Sequence, residues 1–350
     1  MSLRLFTAMG GSQVGGAEAF FVTLNRALHA RGLAVHAVLR ENPIHTTDFV
    51  HAGISYDTAK FGGPFDLWTS RYLRKIAKNF RPDVVLTFAG RASSLMPSGD
   101  YTRIGRLGGY YNLKNFKQCD YLICNAPDLV RYVVESGWHG DRVFHIPNFP
   151  RLDEALPVNR ASLDTPEGVP LALALGRLHP NKALDVLIRS CLRVPDLWVW
   201  IAGEGEERVK LENLTRELGV SERVKFLGWR TDKAALFGAA DICVYPSRKE
   251  PFGNVVVEAW GYGKPLVTTA STGPAWLVRD GEDGLLVPVD DFEAFAECIR
   301  RVLSNTELAT QLVSNGKKRI SEEFSEENIV GQYITLMERL HVRRKNQCAG

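Results

Sequence analysis

Short apolar runs of strand length alternate with stretches of helical length along the whole chain, and this constrains the fold more than any other feature. A chain that alternates in this way predicts an α/β protein of doubly wound parallel sheets with helices between the strands. In the first half, strands are predicted near Leu3–Met9, Ala34–Leu39, Val84–Phe88, Tyr121–Cys124 and Val143–Ile146. Helices are predicted near Ala17–Ala30, Trp68–Asn79 and Asp128–Ser136, with Gly32 as a stop after the first. The stretch from Pro147 to Pro170 is irregular and carries five prolines, Pro147, Pro150, Pro157, Pro166 and Pro170, which suits a linker. The alternation then restarts. Strands are expected at Leu171–Leu175, Trp198–Ala202, Val224–Leu227, Ile242–Tyr245, Pro265–Thr268 and Gly284–Val287. Helices are expected near Ala183–Cys191, Glu207–Leu218, Lys233–Ala239, Val255–Trp260 and Phe292–Ser304. A last helix near Glu326–His341 places Ile329, Val330, Tyr333, Ile334, Met337 and Leu340 at helical spacing.

The 350 residues suffice for two domains of ordinary size. Apolar content of 45% and charged content of 24% are those of a soluble globular protein. No apolar run approaches the roughly 20 residues of a membrane span, and the N-terminus reads as a first buried strand rather than a secretory signal. Six cysteines lie far apart with no CxxC pair, as reduced core thiols of a cytoplasmic protein would. The formal charge of +3 does not call for nucleic acid. Basic residues do gather locally, at Arg71, Arg74, Lys75 and Lys78 on one helix and at His341, Arg343, Arg344 and Lys345 in the tail. Each group is either a solvated face or a patch for peripheral contact with an anionic membrane or acceptor.

The densest chemistry lies in Glu250-Pro-Phe-Gly-Asn-Val-Val-Val-Glu258. Glu250 falls in a loop and Glu258 on the helix that the loop feeds. The amides of Phe252, Gly253 and Asn254 stand at that helix's N-terminus, where an anion can be held. Carboxylates for hydroxyls beside amides for phosphates suit a nucleotide sugar. The plainer reading of the same residues is an amphipathic helix with a solvated glutamate at its start.

This stretch resembles the donor-site signature of retaining GT-B glycosyltransferases, especially family 4, and other segments follow in the family's order. Gly176-Arg177-Leu178-His179-Pro180-Asn181-Lys182 is similar to the family's phosphate loop, and Gly203-Glu204-Gly205 to its Gly-x-Gly turn. Val224–Gly228 resembles the strand and turn that hold the base, and Asp241–Ser247 the strand leading into the glutamate loop. The likeness is strong over residues 170 to 290 and looser in the N-terminal half. It implies a GT-B fold of two Rossmann-like domains facing across a cleft. An acceptor-binding domain would span 1–165 and a donor domain 166–325. A segment 326–350 would carry a helix crossing back to the first domain, and a basic tail.

The resemblance also implies roles. Arg177 and Lys182 would stabilise the departing diphosphate and Glu250 would face the donor sugar, these three forming the catalytic set. Gly16, Gly176, Phe252, Gly253 and Asn254 would line the donor. Glu258 would accept the ribose hydroxyls, and the backbone at Phe226, Leu227 and Gly228 would hold the base. Ala183 stands where the family usually has glycine, and alanine is tolerated at a helix start. On the acceptor side, Gly15 belongs to the loop Gly10–Gly16, whose amides suit a phosphate, while Arg91, Tyr110, Asn112 and Lys114 lie on ligand-facing loops. The histidine that many relatives carry before a Lys-rich helix is missing from Arg106–Lys114. No Asp-x-Asp occupies a donor-site position, so no metal or cofactor is expected beyond the nucleotide-diphosphate sugar itself.

The expected activity is therefore metal-independent, retaining transfer of a sugar (EC 2.4) to a glycan or lipid-linked acceptor, of the kind used in bacterial lipopolysaccharide core or surface-glycan assembly. The alternatives are a nucleotide-sugar epimerase of GT-B fold, which would act on donor alone, and a non-catalytic GT-B binding subunit.

Overall fold

The computed structural model describes residues 3–11, 15–63 and 66–349. The chain divides into two compact units, Met1–Asn148 with Glu326–Gly350, and Phe149–Ser325.

Among the described residues, unit 1 contains seven parallel strands: β1 (Arg4–Met9), β2 (Ala34–Leu39), β3 (Ser55–Thr58), β4 (Val84–Phe88), β5 (Thr102–Leu107), β6 (Tyr121–Cys124) and β7 (Val143–His145). Their order in space is β3-β2-β1-β4-β5-β6-β7, so the winding reverses between β1 and β4. One apolar cluster gathers Phe6, Ala8, Val38, Leu73 and Val85, and another Leu107, Phe116, Leu122 and Leu129. The C-terminal helix Glu326–Ala349 belongs to this unit and packs on helix Gly16–Ala30 and on β5. It buries Ile329, Val330, Tyr333, Met337 and Leu340, as their spacing predicts.

Unit 2 contains, among the described residues, β8 (Leu171–Leu175), β9 (Trp198–Ala202), β10 (Val224–Gly228), β11 (Ile242–Tyr245), β12 (Leu266–Thr269) and β13 (Leu285–Val287), all parallel. Their order is β10-β9-β8-β11-β12-β13, with the reversal between β8 and β11. The inner strands of this sheet are covered on both faces, which is why β8, β9 and β11 read as unbroken apolar runs, whereas the edge strand β10 (Val-Lys-Phe-Leu-Gly) is only partly buried. Ala172, Ala174, Val199, Ile201 and Val244 enter one core; Leu171, Leu173, Trp200, Cys243 and Tyr245 enter the other.

Three features differ from the sequence expectation. Unit 2 begins at Phe149 rather than 166, because the proline-rich stretch is stitched into it: Val158 N donates to Ala235 O, and Trp200 Nε1 to Thr165 Oγ1. Arg106 and Leu107 lie in β5 rather than in a loop, and Arg91 lies on helix Ala89–Leu95. Helices Pro43–His51, Thr272–Leu277 and Thr306–Glu322 and strand β3 carry no signal singled out in the sequence. Cys124, Cys191 and Cys243 are buried free thiols, and Cys119 and Cys298 are partly buried free thiols. The side chain of Cys348 lies outside the described residues.

Candidate functional site

In a doubly wound sheet, ligands bind beyond the carboxyl ends of the strands where the winding reverses, since the two flanking loops diverge there. In unit 2 those loops follow β8 and β11, and they carry the residues marked in the sequence. The loop after β8 holds Gly176, Arg177 and the short 3₁₀ turn Pro180–Lys182. It is pressed against the turn after β9. Gly176 N donates to Ala202 O (3.1 Å) and Leu178 N to Glu204 O (2.9 Å). The approach is so close that a Cβ at Gly203 would lie 1.9 Å from Gly176 O, so only glycine fits there.

Lys182, Tyr245 and Glu250 meet at this edge. Lys182 Nζ donates to Tyr245 OH (2.9 Å) and to Glu250 Oε2 (2.5 Å), and Tyr245 OH donates to the same carboxylate oxygen (2.5 Å). Burial opposes the charge on Lys182, but Tyr245 and Glu250 outweigh it and hold the ammonium above its ordinary value. Burial, followed by the charge on Glu250, pushes the Tyr245 hydroxyl up, so it stays neutral and can donate. A cation is thus fixed in place by a neutral hydroxyl and a carboxylate, which preorganises it for negative charge. Arg177 is exposed and makes no ion pair among the described residues. Its planar fork is therefore open to a phosphate. Ala183 differs from expectation. It has φ 49 and ψ 38, the left-handed conformation that favours glycine, rather than an ordinary helix start.

The loop after β11 continues through Glu250 into helix Asn254–Gly261. Gly253, at φ 98, turns the chain into the helix in a conformation suited to glycine. Phe252 is buried against Trp276, so only its backbone can serve a ligand. Glu258 lies on the helix, and its Oε1 accepts from Lys233 Nζ at 2.7 Å, leaving Oε2 as the further acceptor. On β10, the ladder shifts register between Phe226 and Gly228, and Gly228 has φ 70. The break leaves Leu227 outside the ladder, while Phe226 still pairs with Ile201 and Gly228 with Ala202. Tyr245 and Lys233 were not singled out from sequence. For Tyr245, the available signal was a polar tip at the end of an otherwise apolar strand.

In unit 1 the corresponding loops follow β1 and β4. Ser12, Gln13 and Val14 lie outside the described residues. Gly15 precedes helix Gly16–Ala30, and the negative group against this turn is the chain's own: Cβ atoms at Gly11 and Gly15 would lie 2.1 and 2.6 Å from the oxygens of Glu18. Glu18 is buried, so the turn already faces a carboxylate, which counts against the phosphate expected there. Arg91 donates to Gly63 O, Tyr110 donates to Asp128, and Asn112 Oδ1 accepts from Lys114 N as a local cap. Lys114 is exposed. The buried polar centre nearby is Arg106, which donates to Tyr333 OH (3.0 Å) and to Asn148 Oδ1 and lies over the rings of Phe20 and Phe88.

Among the described residues no group of three His, Cys, Asp or Glu side chains could hold a metal ion, and no helix is long and apolar enough to cross a membrane.

Two family models match: glycosyl transferases group 1 over residues 157–319 and glycosyltransferase family 4 over residues 14–154. A lipopolysaccharide core biosynthesis glycosyltransferase of Rhizobium meliloti, LpsE, is 37% identical over 92% of this chain and 96% of its own length. The chain belongs to the family 4 glycosyltransferases. A second Rhizobium meliloti protein of the same description, LpsD, is 36% identical over 93% of this chain and 95% of its own. Among solved structures, Anabaena Alr3699/HepE in complex with UDP and glucose aligns with a TM-score of 0.81 at 21% identity, covering 95% of this chain and 99% of that one. WaaG, a glycosyltransferase involved in lipopolysaccharide biosynthesis, aligns at 0.69 and 18% identity over 93% and 98%. The fold of this glycosyltransferase is GT-B, and neither the epimerase nor the binding-subunit alternative is favoured.

Proposed function

We propose that this glycosyltransferase moves a sugar, with retention of anomeric configuration, from a nucleoside-diphosphate sugar to a glycan or lipid-linked acceptor of lipopolysaccharide core or related surface-glycan assembly. The observation that carries this is the fixed Lys182–Tyr245–Glu250 group at the switch point of unit 2, one loop from the N-terminus of helix Asn254–Gly261. The names of the Rhizobium meliloti relatives support the pathway, and the UDP and glucose of the Anabaena complex support the donor class.

Lys182 and Arg177 neutralise the diphosphate as the bond from the anomeric carbon to phosphate oxygen breaks. Two basic side chains supply the positive charge that a metal would otherwise bring. The acceptor oxygen bonds to the anomeric carbon on the face the phosphate leaves, and its proton passes to the departing phosphate oxygen. No nucleophilic carboxylate is required, and Glu250 is left to hold sugar hydroxyls. Glu258 accepts the ribose hydroxyls and the Phe226–Gly228 backbone takes the base edge. The reaction should survive EDTA.

The test is incubation with UDP-, GDP- and ADP-sugars, with and without a truncated core oligosaccharide, the product anomer being read by NMR. Acceptor-dependent transfer with retention is expected, and Lys182→Ala and Glu258→Ala should each lower donor use by about tenfold or more. Conversion of donor without acceptor would point to an epimerase, and wild-type rates in both variants would sink the site assignment.

A peripheral membrane contact is the second part of the proposal. Helix Leu67–Phe80 exposes Leu67, Trp68 (84% exposed) and Tyr72 beside Arg71, Arg74, Lys75 and Lys78. Among the described residues none of these four cations is ion-paired. In the tail, by contrast, Arg343 pairs with Asp141, and Arg344 with Asp120. An aromatic beside free cations suits an anionic lipid surface. Sedimentation with phosphatidylglycerol vesicles should carry the protein down, and Trp68→Ser with Lys75→Glu should release it. Equal sedimentation of that variant would remove this helix as the contact.

A further inference from the structure

We propose that Arg248 is a positioning residue of the transfer reaction, locking the loop that carries Lys182 to the loop that carries Glu250. The inference rests on the reading of Lys182 as a diphosphate-binding group.

Arg248 precedes Glu250 by two residues, yet its contacts go to the phosphate loop. Its backbone N–H donates to Asn181 O (2.8 Å). Its guanidinium NH1 donates to Pro180 O (2.9 Å) and to Asp185 Oδ1 (2.9 Å), and NH2 donates to Asp185 Oδ2 (2.7 Å). Nε faces the other way and donates to Asp290 Oδ1. Residues 180 and 181 immediately precede Lys182, and Asp185 stands in the first turn of helix Leu184–Ser190 just after it. One side chain therefore grips the phosphate loop on both sides of Lys182 while its own backbone leads into Glu250. The distance between cation and carboxylate is then set by the rigid fork, not by the flexible lysine stem. The fork is what makes the clamp: five donors in a fixed plane reach a carboxylate and a carbonyl on one side and a second carboxylate on the other. A lysine ammonium, whose donors all radiate from one point, could not span all three partners.

A clamp that only stabilised the fold would damage the protein equally whether or not Lys182 is present. A clamp that acts by placing Lys182 loses its purpose once Lys182 is gone, and a double-mutant cycle separates the two. Calorimetric affinity for UDP, GDP and ADP is measured on wild type, Lys182→Ala, Arg248→Met and the double variant, with melting curves for all four. For the nucleotide that wild type binds most tightly, Arg248→Met should cost about tenfold in the presence of Lys182 and less than about twofold in its absence. Wild-type affinity in Arg248→Met, or the same loss in both backgrounds, would overturn the inference. Wild-type affinity in Lys182→Ala, or no binding of any of the three by wild type, would instead overturn the reading beneath it. Should Arg248→Met fail to fold, Asp185→Asn removes the bidentate acceptor at nearly constant volume and must show the same dependence on Lys182.

Discussion

Lys182 sits in a setting that pulls its charge in two directions. Burial favours the neutral amine, while the Tyr245 hydroxyl and the Glu250 carboxylate favour the ammonium and win. Its folded value therefore lies above the ordinary 10.5. The stability it lends is full below that ordinary value and fades only as pH rises through the higher folded one. Across pH 6 to 9 the lysine should stay charged, so no limb of the kcat/KM profile in that window should belong to it. Profiles of wild type and Lys182→Arg check this. An alkaline limb below pH 9 that disappears in the arginine variant would show the lysine deprotonating and contradict the geometry. Lys182 and Glu250 were legible in the sequence because each belongs to a local motif. Tyr245 and Arg248 were not, because they meet that motif only in space. Tyr245 is 63 residues from the lysine it contacts, and so is Arg248 from Asp185.

At the scale of elements, strands β8, β9 and β11 of unit 2 were readable because they are buried on both faces and show as solid apolar runs. Strands β3 (Ser-Tyr-Asp-Thr) and β5 (Thr-Arg-Ile-Gly-Arg-Leu) were not, since one is a partly exposed edge and the other carries arginines and a glycine. The arginine in β5 that defeats the pattern, Arg106, is buried by aromatic rings and the C-terminal helix, a solution no local window reveals. Ala183 shows the opposite limit: its neighbours predict a helix start, but the turn into that helix is left-handed. Holding an alanine there costs about 1–2 kcal/mol. Replacing it with glycine relieves that cost, but adds freedom to the unfolded chain, about 0.4–1 kcal/mol, and removes a buried methyl, about 0.8 kcal/mol. These effects nearly cancel. Ala183→Gly should therefore leave the urea midpoint almost unchanged. Ala183→Val should lower stability by on the order of 1–3 kcal/mol from overpacking alone. A large gain in the glycine variant would mean that the alanine methyl contributes nothing to packing.

At the scale of the whole molecule, the chain leaves unit 1 at Asn148, builds unit 2, and returns to unit 1 at Glu326. The helical spacing of Ile329, Val330, Tyr333, Met337 and Leu340 was legible from sequence, but where that face would pack followed only from the family likeness. The reason it cannot be spared is energetic. Each of those side chains is buried in unit 1, and burying one contributes about 1.5–3 kcal/mol. Together they approach or exceed the roughly 5–15 kcal/mol by which a domain is stable at all. Removing the helix would also strip Tyr333 from Arg106, leaving a buried guanidinium short of an acceptor. A chain ending at Ser325 should therefore lose unit 1 and keep unit 2, whose sheet, cores and Lys182–Tyr245–Glu250 group all lie within Phe149–Ser325. Calorimetry of the full chain against the truncated one checks this, with nucleoside-diphosphate affinity alongside. One melting component should vanish while the other keeps its midpoint, and any affinity supplied by unit 2 alone should persist. If the truncated chain keeps both components, the helix is an accessory of unit 1 and not part of its core.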